Sequence, residues 1–202
     1  WSSPAVADNM VFIGSFDRNV YALDANNGTK IWEFTTGANI VSTPVFHDGI
    51  VYSGSLDRNF YAINAADGRE VWRFQGGNWF WAKPIVIGNT IYAPCLDNRV
   101  YALDTKTGNL IASHDAGGQV ASDPVVLNNM IIVATKNERL VGLDITNPAS
   151  SPRLLANIPN EVTAPLAARG NNVYINGPDN NLYAYDVVTG ARFTPISLNF
   201  QQ

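Results

Sequence analysis

Short apolar runs recur along the chain, and polar turn residues divide them. The first quarter shows the pattern. Apolar positions cluster at Pro4–Ala7, Met10–Ser15, Asn19–Asp24 and Lys30–Phe34, and the gaps read "DN", "FDR" and "ANNG". The runs are rich in Val, Ile, Tyr and Phe, which suit a packed pleated surface. Several are apolar at consecutive positions, as in Met10-Val11-Phe12-Ile13. Consecutive apolar residues predict strands covered on both faces rather than on one. No helical period persists anywhere, so the pattern predicts strands and turns throughout. Asp17 can accept from backbone N–H groups two residues on, and Gly28 can supply a left-handed turn position.

The pattern repeats. Pro4, Pro44, Pro84, Pro124 and Pro165 lie 40, 40, 40 and 41 residues apart. A turn acid or amide follows each proline: Asp17, Asp57, Asp97, Asn137 and Asp179. Then comes one strand phrase in five versions, beginning at Val20, Phe60, Val100, Leu140 and Leu182. The chain therefore divides into units 1–40, 41–80, 81–120, 121–161 and 162–202 of a single domain. Four short strands in about 40 residues, repeated radially, make the blade of a β-propeller. The expected fold is all-β, with five four-stranded antiparallel blades. They form either a closed five-blade ring or part of a larger propeller. No Trp-Asp pair occurs, which argues against WD40 repeats, and kelch repeats run longer. No blade is split between the termini, and the chain opens on Trp1 rather than Met. Trimming from a longer chain is the expectation.

Composition narrows the function. Charged residues make up only 15% of the 202 positions and the net charge is −4, without a basic cluster longer than two residues. A nucleic-acid partner needs a basic footprint, so that class is set aside. No run approaches 18 apolar residues, so no transmembrane helix is expected. Cys95 is the only cysteine, which rules out an internal disulfide.

The candidate chemistry is sparse. Asp17, Asp57, Asp97 and Asp179 occupy the same turn in different units, so they read as turn stabilisers rather than paired carboxylates. His47 and His114 are isolated, with no Glu or Cys at ligand spacing, so no metal site is expected. Cys95 aligns with Ser15, Ser55 and Thr135 and reads as a small core filler. No glycine-rich phosphate loop opens a helix, so nucleotide binding lacks its structural context. Asn27-Gly28-Thr29 fits a glycosylation sequon and also an ordinary turn, and the turn reading is favoured.

The stretch Ala22-Leu23-Asp24-Ala25-Asn26-Asn27-Gly28-Thr29-Lys30-Ile31-Trp32 resembles the docking motif of PQQ-like repeat propellers, Ala-x-Asp-x-x-x-Gly-x-x-x-Trp. Ala62, Asn64, Gly68 and Trp72 repeat it apart from the amide. Ala102, Asp104 and Gly108 repeat it until Ala112 takes the Trp slot. The resemblance implies that Trp32 and Trp72 staple one blade to the next. Pro152 and Thr194 sit near the Trp slots of the fourth and fifth units, and Pro148 stands in place of the glycine. Plainer docking is implied there.

The family contains quinoprotein dehydrogenases, which bind pyrroloquinoline quinone and calcium and carry eight blades and adjacent cysteines. It also contains the barrel-assembly lipoprotein of the bacterial outer membrane and kinase sensor domains, which are cofactor-free. Five units and one cysteine make this chain resemble the second group. The resemblance implies an exported bacterial protein, periplasmic or extracellular, that binds a protein partner without catalytic residues, cofactor or metal. A quinone-dehydrogenase fragment and an extracytoplasmic sensor are the alternatives. A small-molecule ligand in the central channel stays open.

Three aromatics stand together in "GNWFWAKP", residues 77–84. Phe80 and Trp81 fall where other units have apolar residues, which suggests core or channel lining. Trp79 replaces a polar loop residue. In an up-and-down blade, alternate connections emerge at the same end. The Trp79 loop should therefore share a face with Arg18, Arg58 and Asn98. Arg and Trp are enriched at interface hot spots. Trp79, Phe80, Trp81, Arg18, Arg58 and Asn98 form the expected partner surface. The opposite face, with Asp8-Asn9, His47-Asp48 and the glycine turns, reads as structural.

Overall fold

In the computed structural model, residues 2–148 and 150–198 are described. They form five separate four-stranded antiparallel sheets, each with its strands in chain order. The first contains β1 (Ala5–Ala7), β2 (Met10–Gly14), β3 (Asn19–Asp24) and β4 (Lys30–Thr35). The second contains β5 (Val45–His47), β6 (Ile50–Gly54), β7 (Asn59–Asn64) and β8 (Glu70–Gln75). The third contains β9 (Ile85–Ile87), β10 (Thr90–Pro94), β11 (Arg99–Asp104) and β12 (Leu110–Asp115). The fourth contains β13 (Val125–Leu127), β14 (Met130–Thr135), β15 (Arg139–Asp144) and β16 (Arg153–Asn157). The fifth contains β17 (Ala167–Arg169), β18 (Asn172–Asn176), β19 (Asn181–Asp186) and β20 (Ile196–Ser197). This is the propeller blade that the repeat predicts.

The sheets stack face to face, and four apolar cores lie between consecutive pairs. Phe12, Val20 and Ala22 meet Val51, Tyr61 and Ile63 between the first and second sheets. Tyr52, Phe60 and Ala62 meet Ile91, Tyr101 and Leu103 between the second and third. Similar cores join the third to the fourth and the fourth to the fifth. Successive strand residues point to opposite faces, so each inner sheet serves two cores. That explains the consecutive apolar runs.

The docking motif does what the resemblance implies. The Trp32 indole donates to the Ala65 carbonyl at 2.8 Å, and Trp72 donates to Thr105 at 2.9 Å. Each ring lies across a glycine of the next unit. A Cβ on Gly68 would come within 2.8 Å of Trp32, and one on Gly108 within 2.6 Å of Trp72. Asp24 and Asp104 brace their turns by accepting from the backbone N–H groups two and three residues on. Asn64 braces its own through Ala66. Ala22, Ala62 and Ala102 are fully buried in the inner strands, opposite residues 32, 72 and 112. Asn27 accepts from the Thr29 amide and hydroxyl, as a turn residue does.

The fourth unit corrects the sequence reading. Strand pairing sets Gly142 opposite Arg153, just as Ala22 is opposite Trp32. Arg153, not Pro152, therefore occupies the docking slot, and its guanidinium donates to the Val187 carbonyl at 3.2 Å. One extra residue between Asp144 and this slot shifts the register.

The stack is an arc with two open faces. Among the described residues, no apolar core joins the fifth sheet to the first. Val11, Ile13, Tyr21 and Leu23 on the outer face of the first sheet are only partly buried, whereas Val51, Tyr61 and Ile63 at the matching places are fully covered. At the other end, Tyr174, Leu182 and Ala184 are partly exposed, while their counterparts Tyr52, Phe60 and Ala62 are buried. The open arc, rather than the closed ring, is the arrangement found.

Candidate functional site: the loop face and the axial mouth

The site is built from two kinds of loop at one end of the blades. The first is the tight turn between the second and third strands of each sheet. In the second sheet, Asp57 accepts from the Asn59 amide at 2.8 Å and from the Tyr61 hydroxyl at 2.7 Å. Asp97 repeats this with Arg99 and Tyr101. Burial, with the hydrogen bond to the Asp97 carboxylate, pushes the Tyr101 hydroxyl well above the usual phenol range. The turn forces its next residue into left-handed backbone: φ is 78° at Arg18, 73° at Arg58 and 72° at Asn98. Asn tolerates that region, whereas Arg is uncommon there.

The second kind of loop leads from one sheet to the next. Residues 76–80 are held between two turns. The Gly76 amide donates to Arg58 O at 2.9 Å, the Gly77 amide to Asp97 at 2.8 Å, and Leu96 to Trp79 O at 2.9 Å. The same lock joins Gly37 to Asp57 at 2.7 Å. In the third loop the polarity reverses, because Asn137 donates its amide to Gly117 O at 2.5 Å. Each inner turn thus fixes its own hairpin and also the preceding loop. The backbone of the Trp79 loop is bonded to both the Arg58 turn and the Asn98 turn, so the structure brings these three to one rim.

The aromatic triplet divides three ways. Trp79 is 44% exposed at the loop tip. Phe80 is 1% exposed and packs on Phe60 and Tyr101 in the second core. It leaves the expected partner surface because its side chain points into the blade interface. Trp81 is partly buried and lines a cavity of about 380 Å³ at the axis. Every sheet contributes a residue to that cavity: Ser3, Thr43, Trp81, Asp123 and Thr163. Hydrogen bonds run round its wall, from the Ser3 amide to Thr43 Oγ1 at 3.2 Å and from the Lys83 amide to Asp123 Oδ1 at 2.7 Å. The sequence placed Trp81 at the channel. It did not single out Asp123 or the hydroxyl residues, because they share no residue type and stand one position ahead of the proline at Ser3, Thr43 and Asp123 but two ahead at Thr163.

Other reactive groups lie elsewhere. Cys95 is buried, its thiol contacts the Asn78 carbonyl at 3.2 Å, and burial pushes it up to about 12. His114 is buried beside Ala112 in the third interface, with Nε2 unpaired, and burial lowers its basicity. Among the described residues, no group of three His, Cys, Asp or Glu is placed to hold a metal ion.

Comparison with known proteins agrees with this architecture. The crystal structure of BamB from Moraxella catarrhalis superposes with a TM-score of 0.81 at 20% identity, covering 96% of this chain and 61% of that one. The computationally designed protein Ika8 superposes with a TM-score of 0.80 at 20% identity and the same coverages. The chain thus spans about three fifths of the length of these structures. No curated protein sequence matches it. The sequence profile of the family described as "Outer membrane protein assembly factor BamB" matches residues 1–194, and the chain belongs to that family of PQQ-like repeat propellers.

Proposed function

We propose that the chain is a non-catalytic scaffold that binds a protein partner through the rim carrying Trp79, Arg58, Arg18 and Asn98, outside the cytoplasm of a bacterium. Family membership supports a role in outer-membrane protein assembly, and with it an exported location. The observation that carries the reading is local. Two arginines hold left-handed backbone at turn tips, where glycine or asparagine would sit with less strain, and a large indole stands exposed on the neighbouring loop. Backbone strain of about 1 kcal/mol per residue is retained where a side chain is needed for another purpose. Trp and Arg are the residues that most often anchor interfaces. The loop backbones are bonded to one another, so the rim is preorganised and binding orders little further.

The test is affinity capture and cross-linking of the exported protein with the outer-membrane assembly machinery. The Trp79→Ala/Arg58→Gly double variant should lose capture while unfolding at an unchanged or slightly higher temperature. Undiminished capture by that variant would overturn the assignment.

A further inference from the structure

The outermost strand of each sheet has one edge without a strand partner. Such an edge presents a row of unpaired N–H and C=O groups, and proteins guard it with charged side chains. The first two sheets follow that rule. Lys30 pairs with Glu33 at 2.6 Å on β4, and Arg73 pairs with Glu70 at 3.0 Å on β8. Strand pairing sets Leu110 at the place of Lys30 and Glu70, and Ser113 at the place of Glu33 and Arg73. Among the described residues, β12 therefore makes no ion pair, and Leu110 stands 52% exposed on it. Arg99, which donates to Ser113 at 2.9 Å, belongs to the adjoining β11. The strand also borders a groove of about 450 Å³. Residues 111–115 all line it, and Pro148, Ser150 and Pro152 stand opposite. Successive strand residues point to opposite faces, so a groove lined by five in a row runs along the strand edge rather than across one face. Among the described residues, no backbone hydrogen bond crosses this groove. The staple position beside it is empty, because Ala112 stands where Trp32 and Trp72 hold their blades. In the fourth sheet, by contrast, Arg153 fills the slot. Two polar atoms of the groove residues, His114 Nε2 and Ser150 Oγ, are buried without a partner.

We propose that β12 is a docking edge for an extended segment of a partner protein. The segment pairs with the free backbone groups of β12 as a fifth strand of the third sheet. It lays a tryptophan or tyrosine side chain in the place that Ala112 leaves open. The backbone row selects an extended chain, because only a strand meets its alternate N–H and C=O groups at their spacing. The uncharged run Leu110-Ile111-Ala112-Ser113 selects apolar and hydroxyl side chains over charged ones. The slot selects an aromatic ring with a polar tip, since a phenol or indole supplies a hydrogen-bond partner for His114 Nε2 or Ser150 Oγ. None of these residues belongs to the rim of Trp79, Arg58, Arg18 and Asn98, so the edge is a second contact surface.

The test titrates the full chain with a short peptide of alternating threonine and valine that carries one central tryptophan, and follows amide hydrogen exchange. Docking should slow exchange in residues 110–115 roughly tenfold or more, and leave β4 and β8 unchanged. Alanine in place of the peptide's tryptophan should weaken binding roughly tenfold or more. Proline beside the tryptophan should abolish it, because a ladder N–H is lost. In the protein, Leu110→Lys/Ser113→Glu installs the guard of the first sheet and should weaken binding severalfold at an unchanged unfolding midpoint. The rim variant Trp79→Ala/Arg58→Gly should bind the peptide as the native chain does. No protection of residues 110–115 at millimolar peptide would overturn the proposal, and so would equal protection by the proline peptide. Undiminished binding by the guarded variant would overturn it as well. Concentration-dependent protection of these amides without peptide would overturn it in favour of self-association.

Discussion

The second and third blade interfaces have the same backbone plan and unlike contents. Between the second and third sheets, Trp72 bridges to Thr105, Phe74 meets Tyr101 at a tilted angle of 57°, and Asp97 ties back Gly77. Between the third and fourth, the matching positions hold Ala112, His114, Val141 and Asn137. The bulky ring is gone, and an open groove of about 450 Å³ runs past Ala112, His114, Pro148 and Pro152. The His114 ring bonds to the Ser150 backbone, but its Nε2 is buried without a partner. The same fold thus tolerates a stapled joint and an unstapled one. The strands set the spacing of the blades, and the side chains decide how strongly each joint holds.

Four comparisons would break or sharpen this contrast. The largest effect is expected from Trp72→Ala, which removes a buried ring and one of the two hydrogen bonds to the Thr105 carbonyl, leaving only that from the Tyr52 hydroxyl. It should cost about 3–5 kcal/mol in denaturant unfolding, whereas Ala112→Gly at the matching slot should cost no more than about 1 kcal/mol. The next is His114→Phe, which restores the residue type of Phe34 and Phe74 and removes an unsatisfied nitrogen. It should stabilise by about 1–2 kcal/mol near neutral pH.

That variant also tests a pH dependence. Burial depresses the basicity of His114 below its ordinary value of 6.5, so the unfolded chain binds a proton that the folded chain does not. Its contribution is fully present above pH 6.5 and is lost as the pH falls below that value towards the depressed pKa. The native protein should lose stability over that interval more steeply than His114→Phe does, as measured by unfolding at several pH values.

A third comparison sets Asp97→Ala against Asp17→Ala. Both remove a hairpin brace, but only Asp97 also holds the preceding loop through Gly77. Asp97→Ala should therefore cost more by about 1 kcal/mol. The smallest effect tests whether the third joint accepts a staple. Ala112→Trp alone should bring no gain, because Pro148 stands where Gly68 and Gly108 admit a ring. Combined with Pro148→Gly it should gain about 1 kcal/mol, a non-additivity read from a double-mutant cycle.

Much of this was legible in the sequence, for a physical reason. A repeat prints the same constraint several times, so Asp17, Asp57 and Asp97 could be read as turn braces, while the resemblance to PQQ-like repeats implied the staple role of Trp32 and Trp72. Departures from the repeat were harder. Arg153 was missed because one extra residue displaces it from the counted position, and only strand pairing restores the alignment. Phe80 and Trp81 were read both as core or channel lining and as part of the partner surface, and only the packing of Phe80 on Phe60 and Tyr101 separates the two readings. Asp123 was invisible because the axial wall is assembled from residues about 40 positions apart that share no common type. The left-handed backbone at Arg18 and Arg58 gives no sign in residue identity, since asparagine or glycine is the usual marker.

The open arc has a mechanical consequence. Among the described residues, apolar cores join each sheet only to its neighbours in the chain, so load applied to the two ends passes through these joints in series. Such a linear array yields link by link. Stretched in an optical trap, the protein should give a sawtooth of partial ruptures rather than one break, with the joint beside His114 parting before those gripped by indole rings.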